Sequence, residues 1–231
     1  MKTIMKKIIV TGGCGYIGSH TAIELIENDF EVVIFDDLSN SSEKTLERIE
    51  KITGVRPIFE KIDLKDERAT EFAFDRYKDA FAVIHFAALK AVGDSIEKPL
   101  EYYQNNLYSF LNTLMCQHKL GIHKFIFSSS ATVYGNPDVL PITEENKTQR
   151  PFSPYGNTKK IAEEILDDFT KSNPNFAAIS LRYFNPIGAH ESGNIGELPN
   201  GTPNNLMPYI TQTAAGVRKK LMVFGNDYPT K

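Results

Sequence analysis

The chain has 231 residues, 41% hydrophobic and 24% charged, enough to bury a substantial core in one large or two small domains. A formal net charge of −3 gives no basic field for nucleic acid, and two cysteines, Cys14 and Cys116, leave no disulfide framework and no Cys-rich metal site. The apolar run after the basic N-terminus is only Ile8 to Val10, and no window approaches about 18 uninterrupted apolar residues, so the expectation is no signal peptide, no membrane span, a cytoplasmic location and a small-molecule ligand.

In chain order, Ile8-Ile9-Val10 predicts a buried strand. Thr11-Gly12-Gly13-Cys14-Gly15-Tyr16-Ile17-Gly18-Ser19-His20 follows it directly, before a helical pattern through Ala22, Ile23, Leu25 and Ile26. Gly12, Gly15 and Gly18 fit Gly-x-x-Gly-x-x-Gly, and Gly13, Gly15 and Gly18 fit Gly-x-Gly-x-x-Gly. Between a strand and a helix such glycines let the chain turn tightly and bring backbone N–H groups to a pyrophosphate, with the helix N-terminus as the anion site. A glycine turn also joins strands to helices that bind nothing, so the next acid matters. The strand Glu31-Val32-Val33-Ile34-Phe35 ends at Asp36, 21 residues beyond Gly15, where a carboxylate can hold a ribose 2′-hydroxyl. No arginine lies between Asp36 and Ser42 to receive a 2′-phosphate, which favours NAD over NADP.

Asp36 to Ser42 reads as a polar loop and Glu43 to Ile52 as a short exposed helix. Arg56-Pro57-Ile58-Phe59 predicts a third strand leading to Asp63-Leu64, where the acid either contacts an adenine amino group or caps a helix. After a charged amphipathic helix, Asp66 to Lys78, the run Phe81 to Phe86 predicts a fourth strand. Its His85 is expected to be hydrogen-bonded within the sheet, because no His or Cys sits at metal-ligand spacing. Ala87-Ala88-Leu89-Lys90 offers small residues where a flat cofactor can lie near the backbone, and a long helix is expected from Pro99 to Lys119. Phe125-Ile126-Phe127 is a fifth strand that opens into Ser128-Ser129-Ser130, either at the strand end where open α/β sheets bind ligands or as a hydroxyl-rich cap.

After a proline-punctuated loop, Tyr155 opens a helix that places Lys159 on its own face four residues on. A phenol ionises near pH 10 unaided, so it serves as a base near neutrality only beside a fixed positive charge, and Lys159 could be that charge. Taken alone, such a pair is more often just a tyrosine at a helix start and a solvated lysine. Phe176 to Leu181 is a sixth strand; every strand is separated from the next by a helix or long crossover, which predicts a parallel doubly wound α/β sheet. From Arg182 a Gly-, Pro- and Asn-rich stretch runs to Asn205, followed by an expected helix, Leu206 to Arg218, and a short strand, Leu221-Met222-Val223-Phe224.

Assembled in order, the glycine turn, Asp36, the serine cluster and Tyr155-x-x-x-Lys159 resemble the extended short-chain dehydrogenase/reductase superfamily. Thr11 to His20, His85 to Gly93, Lys98 to Tyr103, Phe127 to Gly135, Arg182 to His190 and Pro203 to Tyr209 are similar to its UDP-glucose 4-epimerase family. The resemblance implies a Rossmann domain over 1–184, the start of a small substrate-binding domain over 185–231, a held NAD and reversible conversion of UDP-glucose to UDP-galactose through a 4-keto sugar. It implies Tyr155 as base, Lys159 on the nicotinamide ribose and lowering the tyrosine's pKa, and Ser130 between the sugar 4-hydroxyl and Tyr155. The family's NAD contacts fall on Gly12, Gly15, Tyr16, Ile17, Gly18, Asp36, Asn40, Ser41, Asp63 and Leu64, and on Phe86, Ala87, Lys90, Asn105, Ser130, Tyr155, Lys159 and Phe184. Its sugar-nucleotide contacts fall on Ser130, Tyr155, Asn185, Asn205, Met222, Val223 and Phe224, and its usual homodimer on helices near 99–119 and 157–171. No metal is implied. Nucleotide-sugar dehydratases place an Asp-Glu pair after the Ser/Thr, where this chain has Ala131-Thr132-Val133. The family continues past Pro229-Thr230 with arginines for the diphosphate, so the expectation is a truncated epimerase. The alternatives are a non-catalytic NAD-binding fragment or an epimerase of another UDP-sugar.

Overall fold

Six parallel strands form one sheet in the order β3-β2-β1-β4-β5-β6 in a computed structural model that describes residues 5–199, 201–203, 205–223 and 225. The strands are β1 Lys7–Thr11, β2 Glu31–Asp36, β3 Ile58–Lys61, β4 Ala82–His85, β5 Lys124–Ser130 and β6 Ala177–Tyr183. The helices between and after them are α1 Tyr16–Glu27, α2 Lys44–Thr53, α3 Glu67–Arg76, α4 Val92–Glu97, α5 Pro99–Lys119, α6 Pro154–Ser172 and α7 Leu206–Ala214, with a 3₁₀ turn over Ala131–Tyr134. Strand order reverses at β1, which pairs with β2 on one side and β4 on the other. The crevice beyond the C-terminal ends of β1 and β4 is where such sheets bind ligands.

The continuous apolar runs of β1, β2 and β4 follow from burial on both faces. Ile9, Val33, Phe35 and Val83 pack with Phe74, Phe110, Leu114, Ala162 and Leu166, from α3, α5 and α6. Ile8, Val10, Val32 and Ile34 pack on the opposite face with Ala22, Ile23, Leu46 and Ile49, from α1 and α2. At the edge, β6 alternates between Ala178, packed on the first cluster, and Ile179 and Leu181, which are exposed.

Three expected elements shift, each for a local reason. The third strand begins at Ile58 because Pro57 has no N–H to give the ladder. The last helix ends at Ala214, where Ala215 caps it and Gly216 turns at φ +75°. Residues 221–223 form no strand, since no described strand lies beside them to pair with, and Phe224 lies outside the described residues.

His85 is the hydrogen-bonded sheet histidine that was expected: Thr11 Oγ1 and His85 Nδ1 are 2.9 Å apart in a fully buried setting. Burial, then the nearby Lys159 charge, pulls its pKa from 6.5 to about 3. Between those values the unfolded chain binds a proton that the fold does not, so stability is present above pH 6.5 and lost as pH falls toward 3, by up to about 1.4 kcal/mol per pH unit. Urea denaturation across that window is expected to show this slope in the wild type and a flatter one in His85→Phe; equal slopes would refute it.

Candidate functional site

The crevice opens into a cleft of about 480 Å³, within the range of small-molecule and cofactor sites. Its floor is the glycine turn. Gly12 adopts φ +67°, and a Cβ there would stand 2.8 Å from the Ala87 backbone nitrogen. The loop after β4 can therefore close on the turn only if residue 12 has no side chain. Gly15 is the N-cap of α1, in extended geometry with no side-chain cap and no acid in the first turn, so the helix N-terminus is left for an external anion. Gly15, Tyr16, Ile17 and Gly18 all face the cleft. These residues fit a dinucleotide pyrophosphate.

At the adjoining strand end, Asp36 accepts from Cys14 N at 3.0 Å, Leu38 N at 2.9 Å and Ser41 Oγ at 2.7 Å. Desolvation raises its pKa, and the bonds from Ser41, Leu38 and Cys14 pull it back. The carboxylate is thereby held by both the glycine turn and the polar loop, with Asn40 and Ser41 lining the wall. Asp63 and Leu64 line the same end. The capping role left open for Asp63 belongs instead to Asp66, which accepts from Ala69 N at 3.0 Å, while Asp63 accepts from Lys65 N within its own loop.

Phe86, Ala87, Lys90 and Asn105 line the middle of the cleft. Asn106, which the sequence reading passed over, holds this wall. Its side chain accepts from Leu89 N at 2.8 Å and from Asn105 Nδ2 at 3.0 Å, and donates to Leu89 O and Thr158 Oγ1 at 3.0 Å each. The available signal was an asparagine in the interior of a long helix, where it is a poor helix former and needs a partner.

At the far end Ser130, Tyr155 and Lys159 converge. Ser130 ends β5 and caps the 3₁₀ turn, accepting from Thr132 N at 3.3 Å. Helix α6 starts sharply because the Ser153 hydroxyl accepts from Gly156 N at 3.1 Å and Pro154 presets the first turn. Gly156 is pressed against Pro151 and Thr132, where a Cβ would be 2.7 Å from Pro151 Cβ, and this seats Tyr155 beside the 3₁₀ turn. Burial raises the Tyr155 pKa, and a hydrogen bond with Ser130 opposes the rise. Lys159 is nearly inaccessible; its Nζ donates to Ser128 O at 2.7 Å and lies 4.9 Å from the Phe127 ring centroid and 6.0 Å from that of Tyr155. Desolvation lowers its pKa from 10.5 to about 7. The expected lowering of the tyrosine by this lysine is thus not what the chain alone provides: burial leaves both groups leaning to neutrality.

Residues 185–199 lie over the cleft. Tyr16 Oη donates to Gly188 O at 2.7 Å, Ile195 is buried among the side chains of α1 and α2, and Phe184 and Asn185 line the wall. Glu197, another residue unmarked in the sequence, accepts from Lys90 Nζ at 3.2 Å and from Asn205 Nδ2, joining two walls of the cleft. Asn205 lines the cleft, whereas Met222 and Val223 are exposed and not among its lining, because no ladder carries 221–223 back to the site. Among the described residues no His, Cys, Asp and Glu group could hold a metal ion, and no helix is long and apolar enough to cross a membrane.

The model of the NAD dependent epimerase/dehydratase family matches residues 8–230. UDP-glucose 4-epimerase of Erwinia amylovora is 52% identical over 224 residues, covering 97% of this chain and 66% of the relative. That of Bacillus subtilis is 51% identical over 224 residues with the same coverage. The crystal structure of UDP-glucose 4-epimerase from Bifidobacterium longum in complex with NAD+ and UDP superposes with a TM-score of 0.94 at 48% identity, over 97% of this chain and 67% of that one. The chain spans 66% of the length of these curated relatives.

Proposed function

This chain belongs to the NAD dependent epimerase/dehydratase family, and from that premise we propose that it binds NAD and interconverts UDP-glucose and UDP-galactose at the sugar C4. The observation that carries the reading is the convergence of Ser130, Tyr155 and Lys159 at the end of β5, beside a cradle suited to a dinucleotide. When bound, NAD⁺ supplies the hydride acceptor for C4 and a positive charge on its nicotinamide ring. Tyr155 takes the proton of the 4-hydroxyl, Ser130 bonds the same oxygen and orients the phenol, and Lys159 in its protonated form supplies positive charge 6.0 Å from the phenol ring centroid. Because burial holds the phenol's pKa up and the amine's down, the phenol yields its proton only with added positive charge beside it. Tyr155 would return the proton when a 4-keto sugar, turned over in the site, takes back on its other face the hydride that it gave up; net redox is zero.

Asp36 is assigned to the ribose hydroxyls, Asp63 and Leu64 to the adenine end, and Asn185 and Asn205 to the sugar nucleotide. Residues 1–184 are assigned to the dinucleotide domain, and those from 185 onward to the sugar-nucleotide side. Dehydration is disfavoured because the 3₁₀ turn after Ser130 carries Ala131, Thr132 and Val133 and no carboxyl to expel water.

A coupled assay of UDP-galactose turnover on the purified chain, with UDP-N-acetylgalactosamine in parallel, tests the reading. Turnover with NAD bound is expected. NAD retained without turnover of either sugar would instead establish a binding protein, and absence of both would refute the proposal. A cytoplasmic homodimer through α5 and α6 belongs to the same reading, supported by the exposed Leu100, Tyr108 and Met115 of α5. Sedimentation at micromolar concentration is expected to give twice the chain mass, and a monomer would remove the dimer.

A further inference from the structure

One helical turn beyond Lys159, Glu163 meets groups from two other elements, β5 and β6. Its Oε1 accepts from Ser129 Oγ and from Arg182 Nε at 3.1 Å, and its Oε2 accepts from Arg182 Nη2 at 2.8 Å. Arg182 Nη1 donates to Tyr134 Oη at 3.0 Å, and the guanidinium lies 4.8 Å from the Tyr134 ring centroid. The side chains of Glu163 and Arg182 are 12% and 24% exposed. The cluster brackets Ser130 in the chain: Ser129 precedes it, and Tyr134 closes the 3₁₀ turn that it caps. Arg182 comes from β6, where it is paired in register with Ser129, next to Ser130 paired with Tyr183. The same α6 face carries Tyr155 and Lys159.

We propose that Glu163, clamped by Arg182, is a positioning residue: it ties the end of β5 that carries Ser130 to the helix that carries Tyr155 and Lys159, and so holds the Ser130 hydroxyl against the Tyr155 phenol. The proposal rests on the reading above that these three are the reacting set. A partly buried ion pair adds little stability over an apolar pair of similar volume, because desolvation offsets its attraction. A bidentate Arg–carboxylate pair does fix direction as well as distance. That is what a hydroxyl at a strand end and a phenol at a helix start need in order to meet in a fixed direction.

The titration of Tyr155, read by NMR of Cζ-labelled tyrosine and assigned with Tyr155→Phe, separates this from a purely structural role. Ser130 from β5 acts on the phenol; the titratable groups beside it are Lys159 on its own helix, with Nζ 6.0 Å from the ring centroid, and Tyr102 from α5, whose own pKa Tyr155 helps to raise. Removing the Glu163 carboxylate, taken as a charge alone, lowers the pKa of a nearby phenol. Losing the Ser130 hydrogen bond raises it. Glu163→Ala and Ser129→Ala are therefore expected to move the Tyr155 titration upward, by no more than Ser130→Ala does, and Glu163→Gln to restore most of the wild-type position. In a Ser130→Ala background Glu163→Ala is expected to add nothing. Ser129→Ala removes one hydroxyl and leaves the ion pair, so it reports even where Glu163→Ala does not fold. A titration that stays put or moves downward in the folded variants overturns the proposal. In turnover the same variants are expected to lose roughly 10- to 100-fold in kcat with KM changed by less than about twofold. The titration needs no sugar nucleotide, so a chain without turnover would refute the proposed function while leaving this inference to the NMR result.

Discussion

Tyr155→Phe is expected to lower kcat for UDP-galactose by roughly 10²–10⁴-fold, the usual worth of a positioned acid–base group. The ring fills the same volume in the variant, so the fold is expected to lose no more than about 1 kcal/mol from the missing hydrogen bond to Ser130. NAD retention is expected to persist, because the glycine turn, Asp36 and the wall held by Asn106 do not depend on the phenol oxygen. Ser130 cannot take over, since an aliphatic hydroxyl is a far weaker acid than a phenol and its own oxygen already accepts from Thr132 N. Wild-type turnover is expected to pass through a maximum with pH, because Tyr155 is the base only when deprotonated and burial holds its pKa up, while Lys159, brought to about 7, loses its supporting charge as pH rises. Substantial turnover in the phenylalanine variant would remove Tyr155 from the mechanism. A variant that loses NAD as well as turnover would make the tyrosine a binding residue.

Lys159→Met is expected to separate stability from activity. Free lysine holds its proton to pH 10.5, whereas burial brings Lys159 to about 7. Between those values the unfolded chain binds more protons, so stability rises with pH; at and below pH 7 the penalty is present in full. Methionine fills similar space without a charge to desolvate. At pH 7 the variant is therefore expected to be more stable by on the order of 2–4 kcal/mol, after the loss of the bond to Ser128 O. That gain is expected to shrink toward zero as pH approaches 10.5. Turnover is expected to fall to background, because the positive charge beside Tyr155 is gone. Such a trade is the usual mark of a site built for function at the expense of the fold. Denaturation at several pH values decides it: a methionine variant less stable at pH 7, or a difference that ignores pH, would show that the amine is not penalised by burial.

Much of the fold was legible because its signals are local. Continuous apolar runs mark doubly buried parallel strands, glycines mark the first turn, and the separation of every strand by a helix or crossover prescribes a parallel sheet. Boundaries moved where one residue's backbone chemistry outweighed the pattern, as at Pro57 and Gly216. Residues 221–223 show the limit of that logic: a β-prone run is a strand only if another strand lies beside it.

By itself the sequence determined the residue types and their order: a glycine turn after β1, an acid after β2, serines at the end of β5, and a tyrosine and lysine one helical turn apart on α6. Periodicity places such groups, because a helix and a strand each repeat over a few residues. Only the tertiary structure decided what those groups are chemically. Lys159 meets the Ser128 carbonyl across 31 positions, Arg182 meets Glu163 across 19, and Glu197 meets Lys90 across 107. Burial and partners brought from that far set the ionisation of Tyr155 and Lys159, since a pKa follows the solvent and charge around a group, and neither is written in its neighbours along the chain.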